Sequence, residues 1–412
     1  SSTRQKACSA CTKAKRRCDL RHPACRRCVV KGIECFYSST RLHDRSSNQS
    51  QALGADQTAV SLRRPVDDVF LDSVNFALPS PMASVTSSYS DPYDAIASPN
   101  QFFLSPQSWL VVKFTRAAPR EDYRVPDMQH SIQQILRWLK EWVRDGSTMF
   151  IHKQLYQDHL PKCIQDAYMA CATYFSSTDN NRGMVMRILE ERVSMLLDEQ
   201  AAQAELFELP HLEDGSSSSN TSGIPVFGVS EHLARVQALL VYQVLRLFSP
   251  DDQQREKAED VIPTLKLWSM QMLECALLSS EYVRSAPKQL TSIHEAPFEK
   301  KRQSEWQAWI LAESVRRTWL VAGHAQCIYS LLQYGISLCP GGLMFTTRAG
   351  LWEAESAAEW WERSRQKDVL FLQSLETEKH LLEHNKPEEI DDFGQFIVKI
   401  IAKRKNVESW LS

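Results

Sequence analysis

Six cysteines within 28 residues constrain this chain more than any other feature. They fall as Cys8-x2-Cys11-x6-Cys18 and then, after six residues, as Cys25-x2-Cys28-x6-Cys35. The same three-cysteine unit occurs twice, displaced by 17 residues. What repeats is a set of ligands, not an apolar pattern, and such a repeat asks for a metal. Structural zinc takes four tetrahedral ligands. Six thiolates overfill one such site and underfill two, which would need eight. The count closes if two zincs share two bridging thiolates, so that each metal has four sulfurs. A single four-cysteine zinc with two spectators, or a disulfide knot, are the competing arrangements. Some forty residues cannot bury a stable apolar core, so metal binding must supply the folding energy and chelation should unfold the segment.

Charge separates this head from the rest. Residues 1–45 carry 12 Lys or Arg against Asp19, Glu34 and Asp44, a formal +9, while the remaining 36 basic and 47 acidic residues give −11. The whole-chain value of −2 therefore hides a basic head on an acidic body, which suggests a polyanion partner for the head alone. The two half-sites share ligands but not charge: TKAKRR follows Cys11, whereas VVKGIE follows Cys28. Each six-residue segment is long enough for about one and a half helical turns. The first is expected to face nucleic acid and the second to be its apolar structural partner. The alternative is a solvated basic face around an inert structural zinc.

The pattern C-x2-C-x6-C-x6-C-x2-C-x6-C, with a basic run after the second cysteine, resembles the fungal Zn2Cys6 binuclear cluster of transcription factors. All six ligands and every spacing fit. The resemblance implies two zinc ions held by Cys8, Cys11, Cys18, Cys25, Cys28 and Cys35, with Cys8 and Cys25 bridging. It matches Pro23 to the proline between half-sites and puts the first helix in the DNA major groove. It makes Lys15 the reader of a CGG-like base triplet, with Lys13, Arg16 and Arg17 mostly contacting phosphate. Thr12 and Ala14 stand where basic residues are common in that family.

Residues 38–100 are polar and aperiodic at first (SSTRLHDRSSNQSQALGADQT) and read as a disordered linker. No apolar heptads run between 38 and 75, so dimerisation through this segment is not expected. VDDVFLDSVNF and SYSDPYDAIASP mix acids with aromatics, as activation segments do, although a plain tether has the same composition. From about 101 to 412 an all-α body is expected. Ile132, Ile135, Leu136, Leu139 and Val143 follow helical spacing, with Asp127 a candidate N-cap and Gly146 a stop. Helical spacing recurs over 154–174, 184–199, 231–248, 261–279, 305–335 and 351–383, with no fixed repeat. A disordered loop is expected near 209–224, around GSSSSNTSG.

FIHKQLYQDHLPKCIQDAYMAC, EHLARVQALLVYQVLRLF and WQAWILAESVRRTW resemble the helical regulatory domain that follows the zinc cluster in many ascomycete regulators of metabolic gene clusters. ESVRRTW, residues 313–319, is similar to the Arg-Arg-x-Trp element of that domain. Read from chemistry alone, Arg316 and Arg317 on a Trp-rich helix are expected in structural ion pairs and stacking contacts, not at an effector. The resemblance implies an activator of a biosynthetic gene cluster.

One rival chemistry is legible. His380-Leu-Leu-Glu-His384 matches H-x-x-E-H, which would suit a zinc-dependent hydrolase carrying an accessory zinc module. It lacks a third ligand and lies in the charged run ETEKHLLEHNKPEE, so a solvated helix terminus is the better reading. No P-loop, G-x-S-x-G or dinucleotide fingerprint occurs, and no enzyme is expected. Cys163, Cys171, Cys275, Cys327 and Cys339 are expected as small core residues of a reducing compartment. No apolar run approaches a membrane span, and the start, SSTRQKACSACTK, has neither a secretion-signal core nor an initiating Met, as expected of a trimmed start. The expected partners are double-stranded DNA, with a second copy or other transcription factors supplying paired half-sites, and the expected location is the nucleus.

Overall fold

Ile132, Ile135 and Leu139, spaced along one helical face, are all buried on helix α1 (Val125–Asp145), together with Trp138 and Trp142. The computed structural model describes Cys11, Lys13 and residues 102–113, 118–119, 125–208, 227–285, 298–337, 340–402 and 404–411. The linker 38–100, the loop near 209–224, Cys339 and nearly all of the cysteine-rich head lie outside these. From residue 102 onward the described chain is mostly helical. Gly146 ends α1 as expected, with φ +73°, and its N–H returns to Trp142 O. Asp127 is not the N-cap: the helix begins at Val125, which leaves Asp127 in the first turn, where its charge still suits the helix dipole.

The expected helix over 154–174 starts late, as α2 (Lys162–Ser176). Pro161 disfavours helical backbone at Leu160, so the chain turns before it. Next come α3 (Arg182–Glu208) and α4 (Val229–Leu247), in which every residue from His232 to Leu247 is buried. A helix enclosed all round is a central helix, and α4 packs against α2 and α3 and against three later helices: α5 (Asp252–Glu259), α6 (Ile262–Ser285) and the 37-residue α7 (Phe298–Tyr334). Helix α5, too polar for the apolar pattern to reveal, is held by Asp251, whose carboxylate accepts the N–H groups of Gln253 and Gln254.

The region 351–383 is not one helix. It divides into α8 (Ala357–Gln366), strand β4 (Phe371–Gln373) and α9 (Thr377–His384). Ser356 caps α8 by accepting Glu359 N–H, and Leu370 takes a positive φ of 51° just before the strand. β4 pairs antiparallel with β3 (Met344–Thr346), in the register Phe345 to Leu372. Two short strands, β1 (Ala118–Pro119) and β2 (Ile336–Ser337), pair likewise. The chain closes on α10 (Asp392–Ile401), capped by Asp391, and α11 (Arg404–Leu411). The main core gathers Trp138, Trp309, Trp360, Phe345 and Phe393, each essentially inaccessible to solvent. Burying such side chains contributes about 1.5–3 kcal/mol each for the aliphatic and phenyl cases.

Candidate metal centre and the buried arginine pair

Of the six candidate zinc ligands, Cys11 alone falls within the described residues; Cys8, Cys18, Cys25, Cys28 and Cys35 lie outside, as do Lys15, Arg16 and Arg17. Cys11 is helical and its side chain is fully buried. Lys13, also helical, is exposed. Two residues on a helix are about 200° apart around its axis. One turn therefore turns a thiol inward and an ammonium outward, which is the division a metal-binding face and a phosphate-binding face require. A buried cysteine sulfur suits zinc, a borderline-soft cation that binds thiolate.

Among the described residues, no group of three or more His, Cys, Asp or Glu is arranged to hold a metal. His380 and His384 sit on α9 with side chains 43% and 71% exposed. His380 Nε2 lies 3.6 Å from Glu376 Oε2, and His384 faces its neighbour Glu383. The helix ends at Asn385, ahead of Pro387, so H-x-x-E-H is a solvated helix terminus, and the hydrolase reading finds no support.

The arginine pair of α7 is the best-built polar feature of the described body. Arg317 Nε donates to Glu313 Oε1 at 3.0 Å, and Nη2 donates to Asp391 Oδ2 at 2.5 Å and to Thr346 O at 3.0 Å. Its guanidinium also lies over Trp352 and Phe393, 4.1 and 4.8 Å from their centroids. Burial opposes the Arg317 charge, but Asp391 and Glu313 outweigh it and hold this guanidinium above its ordinary pKa. On Glu313 burial wins over Arg317 and Arg316, and the carboxyl is raised. Arg316, also fully buried, donates through Nη2 to Phe103 O at 2.6 Å and Ser108 Oγ at 2.8 Å and stacks on Trp109 at 3.8 Å. Burial lowers it to about 10. Arg317 thus joins α7 to β3 and to the start of α10, and Arg316 fastens residues 102–109 onto α7. The expectation of ion pairs and stacking holds for Arg317; Arg316 stacks as expected, but among the described residues its hydrogen bonds go to neutral oxygens and not to a carboxylate.

Sequence reasoning missed Asp391, which looks like one more acid in EEIDDFG. Its carboxylate accepts Thr347 Oγ1 at 3.0 Å and Gly394 N–H at 2.8 Å besides pairing with Arg317. A Cβ on Gly394 would overlap the Thr347 hydroxyl, so glycine is required there. The scattered thiols behave as core residues where described. Cys171 and Cys275 are buried, Cys163 and Cys327 half-buried. Burial pushes Cys163 up to about 11 and Cys171 to about 12, which keeps both protonated and unreactive.

Residues 6–43 match the fungal Zn(2)-Cys(6) binuclear cluster domain. Over 432 aligned residues, covering 99% of this chain and 94% of its relative, the chain is 25% identical to a protein of Penicillium aethiopicum named transcription factor gsfR2. No solved structure matches the chain.

Proposed function

Given that the chain carries a fungal Zn(2)-Cys(6) binuclear cluster domain at its N-terminus, we propose that it reads CGG-like triplets in nuclear DNA and regulates genes transcribed by RNA polymerase II. That it is a zinc-binding, DNA-binding regulator of transcription follows from the domain and from its relative. The finer reading rests on one observation: a twofold ligand repeat in which only the first six-residue segment, TKAKRR, carries a run of basic residues, while its counterpart VVKGIE is balanced in charge.

In this reading residues 1–37 form the DNA-binding unit, 38–100 a linker with an acidic and aromatic activation segment, and 101–412 the regulatory body. Two zinc ions are held by Cys8, Cys11, Cys18, Cys25, Cys28 and Cys35, with Cys8 and Cys25 shared. When bound, the metals supply the fold of the head. The residues around them do the recognition. Lys13, Arg16 and Arg17 neutralise phosphates and set register, and Lys15 reaches base edges in the major groove. One triplet is too short an address for a genome, so two copies or a partner factor supply paired half-sites. The genes controlled are those of a biosynthetic cluster, and the effect is activation. No catalytic residue belongs to this reading.

The test is selection of the full chain, loaded with zinc, against a randomised DNA pool at physiological salt. Enrichment of CGG-like triplets is expected, paired at fixed spacing. A protein that retains two zincs and enriches no sequence would overturn the DNA-reading role.

A further inference from the structure

Helix α3 is apolar on two faces, and the described body covers one of them. Val185, Leu189, Val193 and Leu196 are buried. Met184, Ile188 and Met195 form a second stripe, at i, i+4 and i+11, and remain 52%, 37% and 38% exposed. Met169, on α2, is 63% exposed. Single exposed apolar side chains are ordinary, whereas a contiguous group of them marks a surface that something covers.

Three contacts across the α2–α3 hairpin make these four residues contiguous. Lys162 pairs with Glu199 at 2.6 Å, Arg192 pairs with Asp166 at 3.2 Å, and the Arg182 guanidinium lies 4.6 Å from the Tyr174 ring centroid. The two helices therefore run antiparallel, and Met169, three residues past Asp166, comes level with Ile188. Met195 borders the same seam, its Sδ 4.0 Å from Arg192 Nη1. Ion pairs thus rim the apolar patch on its α2 side, as polar groups rim the core of an interface.

The other rim indicates the occupant. Arg187 and Glu191 are exposed one turn apart beside the stripe, and neither has an ion-pair partner among the described residues, although Glu190 and Arg192 on the same helix both do. Arg before Glu is the poorer order for pairing along one helix. Two free charges of opposite sign on one edge complement a reversed copy of themselves. A two-fold axis crossing α3 at residue 189 sets Arg187 beside the partner's Glu191 and Glu191 beside the partner's Arg187. The same axis brings Met184 within a residue of the level of the partner's Met195, and puts Met169 and Ile188 near the centre. A partner of a single charge sign satisfies only one of the two.

We propose that a second copy of this chain docks on the α2–α3 face, antiparallel and two-fold. Methionine suits such a seam, because its unbranched side chain fills irregular gaps. From Met184 to Glu199 the face is about 22 Å long and, with two helices side by side, about 20 Å wide. That footprint, on the order of 450 Å² per copy, is the size of a reversible association and not of an obligate dimer. Residues 38–75 supply no heptads, so this face supplies the pairing that the linker does not. As a means of pairing half-sites the proposal rests on the DNA reading above; as an association of two bodies it does not.

The test is sedimentation velocity of the full zinc-loaded chain, without DNA, across the micromolar range. A dimer is expected to accumulate as concentration rises. Ile188→Glu, which puts a carboxylate near the axis, should weaken it by about tenfold or more while the helical circular dichroism is kept. Arg187→Glu and Glu191→Arg should each weaken it as well, and the variant carrying both should restore it. Should Ile188→Glu fail to fold, Met169→Lys repeats the test from α2. A monomer throughout the range, a dimer untouched by Ile188→Glu or Met169→Lys in a folded protein, or no recovery in the double exchange would each overturn the proposal. Because no DNA is present, a chain that dimerises here yet enriches no CGG-like triplet sinks the DNA reading alone, and one that enriches triplets while staying monomeric sinks this proposal alone.

Discussion

Arg317 and Asp391 stand 74 residues apart in sequence and 2.5 Å apart in space, each with about 1% of its side chain exposed. Removing one partner unbalances a buried charge network that also includes Glu313, and breaking a buried pair costs about 3–5 kcal/mol. Asp391→Ala should cost at least as much, because it also uncaps α10 at Gly394 and frees the Thr347 hydroxyl. Urea denaturation followed by tryptophan fluorescence would measure this. Arg317→Met with Asp391→Leu should recover part of the loss, and a double variant no more stable than either single one would show that the ion pair is not what the singles disrupt.

Acid should destabilise the body through its histidines. Burial holds His152, His232 and His324 down to about 4, from an ordinary value of 6.5. Between those values the unfolded chain binds protons that the folded chain refuses, so stability rises with pH across the window and falls on acidification. Each histidine contributes a slope of up to about 1.4 kcal/mol per pH unit there. Glu313 and Glu353, raised by burial, work in the opposite sense as pH rises through their range. His324 Nε2 is buried with no hydrogen-bond partner among the described residues, so His324→Phe should flatten the dependence between pH 6 and 5. An unchanged slope in a folded variant would exclude His324 as a contributor.

How far the fold was legible depends on where the determining contact lies. The ligand spacing of the head is local and chemically specific, so the cluster domain that residues 6–43 match could be read directly. Ile132, Ile135 and Leu139 likewise announce α1, since one helical face repeats along the chain itself. The region 351–383 misled because its aromatic and aliphatic residues fit helical spacing, whereas the break depends on the positive φ of Leu370 and on β4 pairing with β3, 27 residues upstream at Phe345 and Leu372. α5 was missed for the opposite reason: DQQREKAE has no apolar stripe, and its start is set by the Asp251 cap. Of the candidate site, Arg316 and Arg317 were visible as an element, but Asp391 was not. Its significance lies in which charge stands opposite it, and that is a tertiary fact.

Zinc removal should act on the head and spare the body. The body has its own apolar core around Trp138, Trp309 and Phe393, and no metal-binding group is arranged among its described residues. Chelation should therefore abolish DNA binding while far-ultraviolet circular dichroism retains most of its helical signal. Cys11→Ser should reproduce the loss of DNA binding and lower the zinc content. Collapse of the whole helical signal on chelation would place a structural metal in the body.

The four basic residues of the first half-site should separate by what each contacts. Lys15→Ala should abolish preference between sites while zinc content stays unchanged, because the reading group is lost and the ligands are not. Lys13, exposed on its helical turn, is assigned to phosphate. Lys13→Ala should weaken binding evenly across sequences and reduce the slope of affinity against salt by about one. Competition binding of each variant to a CGG-containing duplex and a scrambled duplex, repeated at several salt concentrations, distinguishes the two roles. A Lys15→Ala protein that keeps full discrimination would remove Lys15 as the reader, and one that lost zinc as well would make its effect structural.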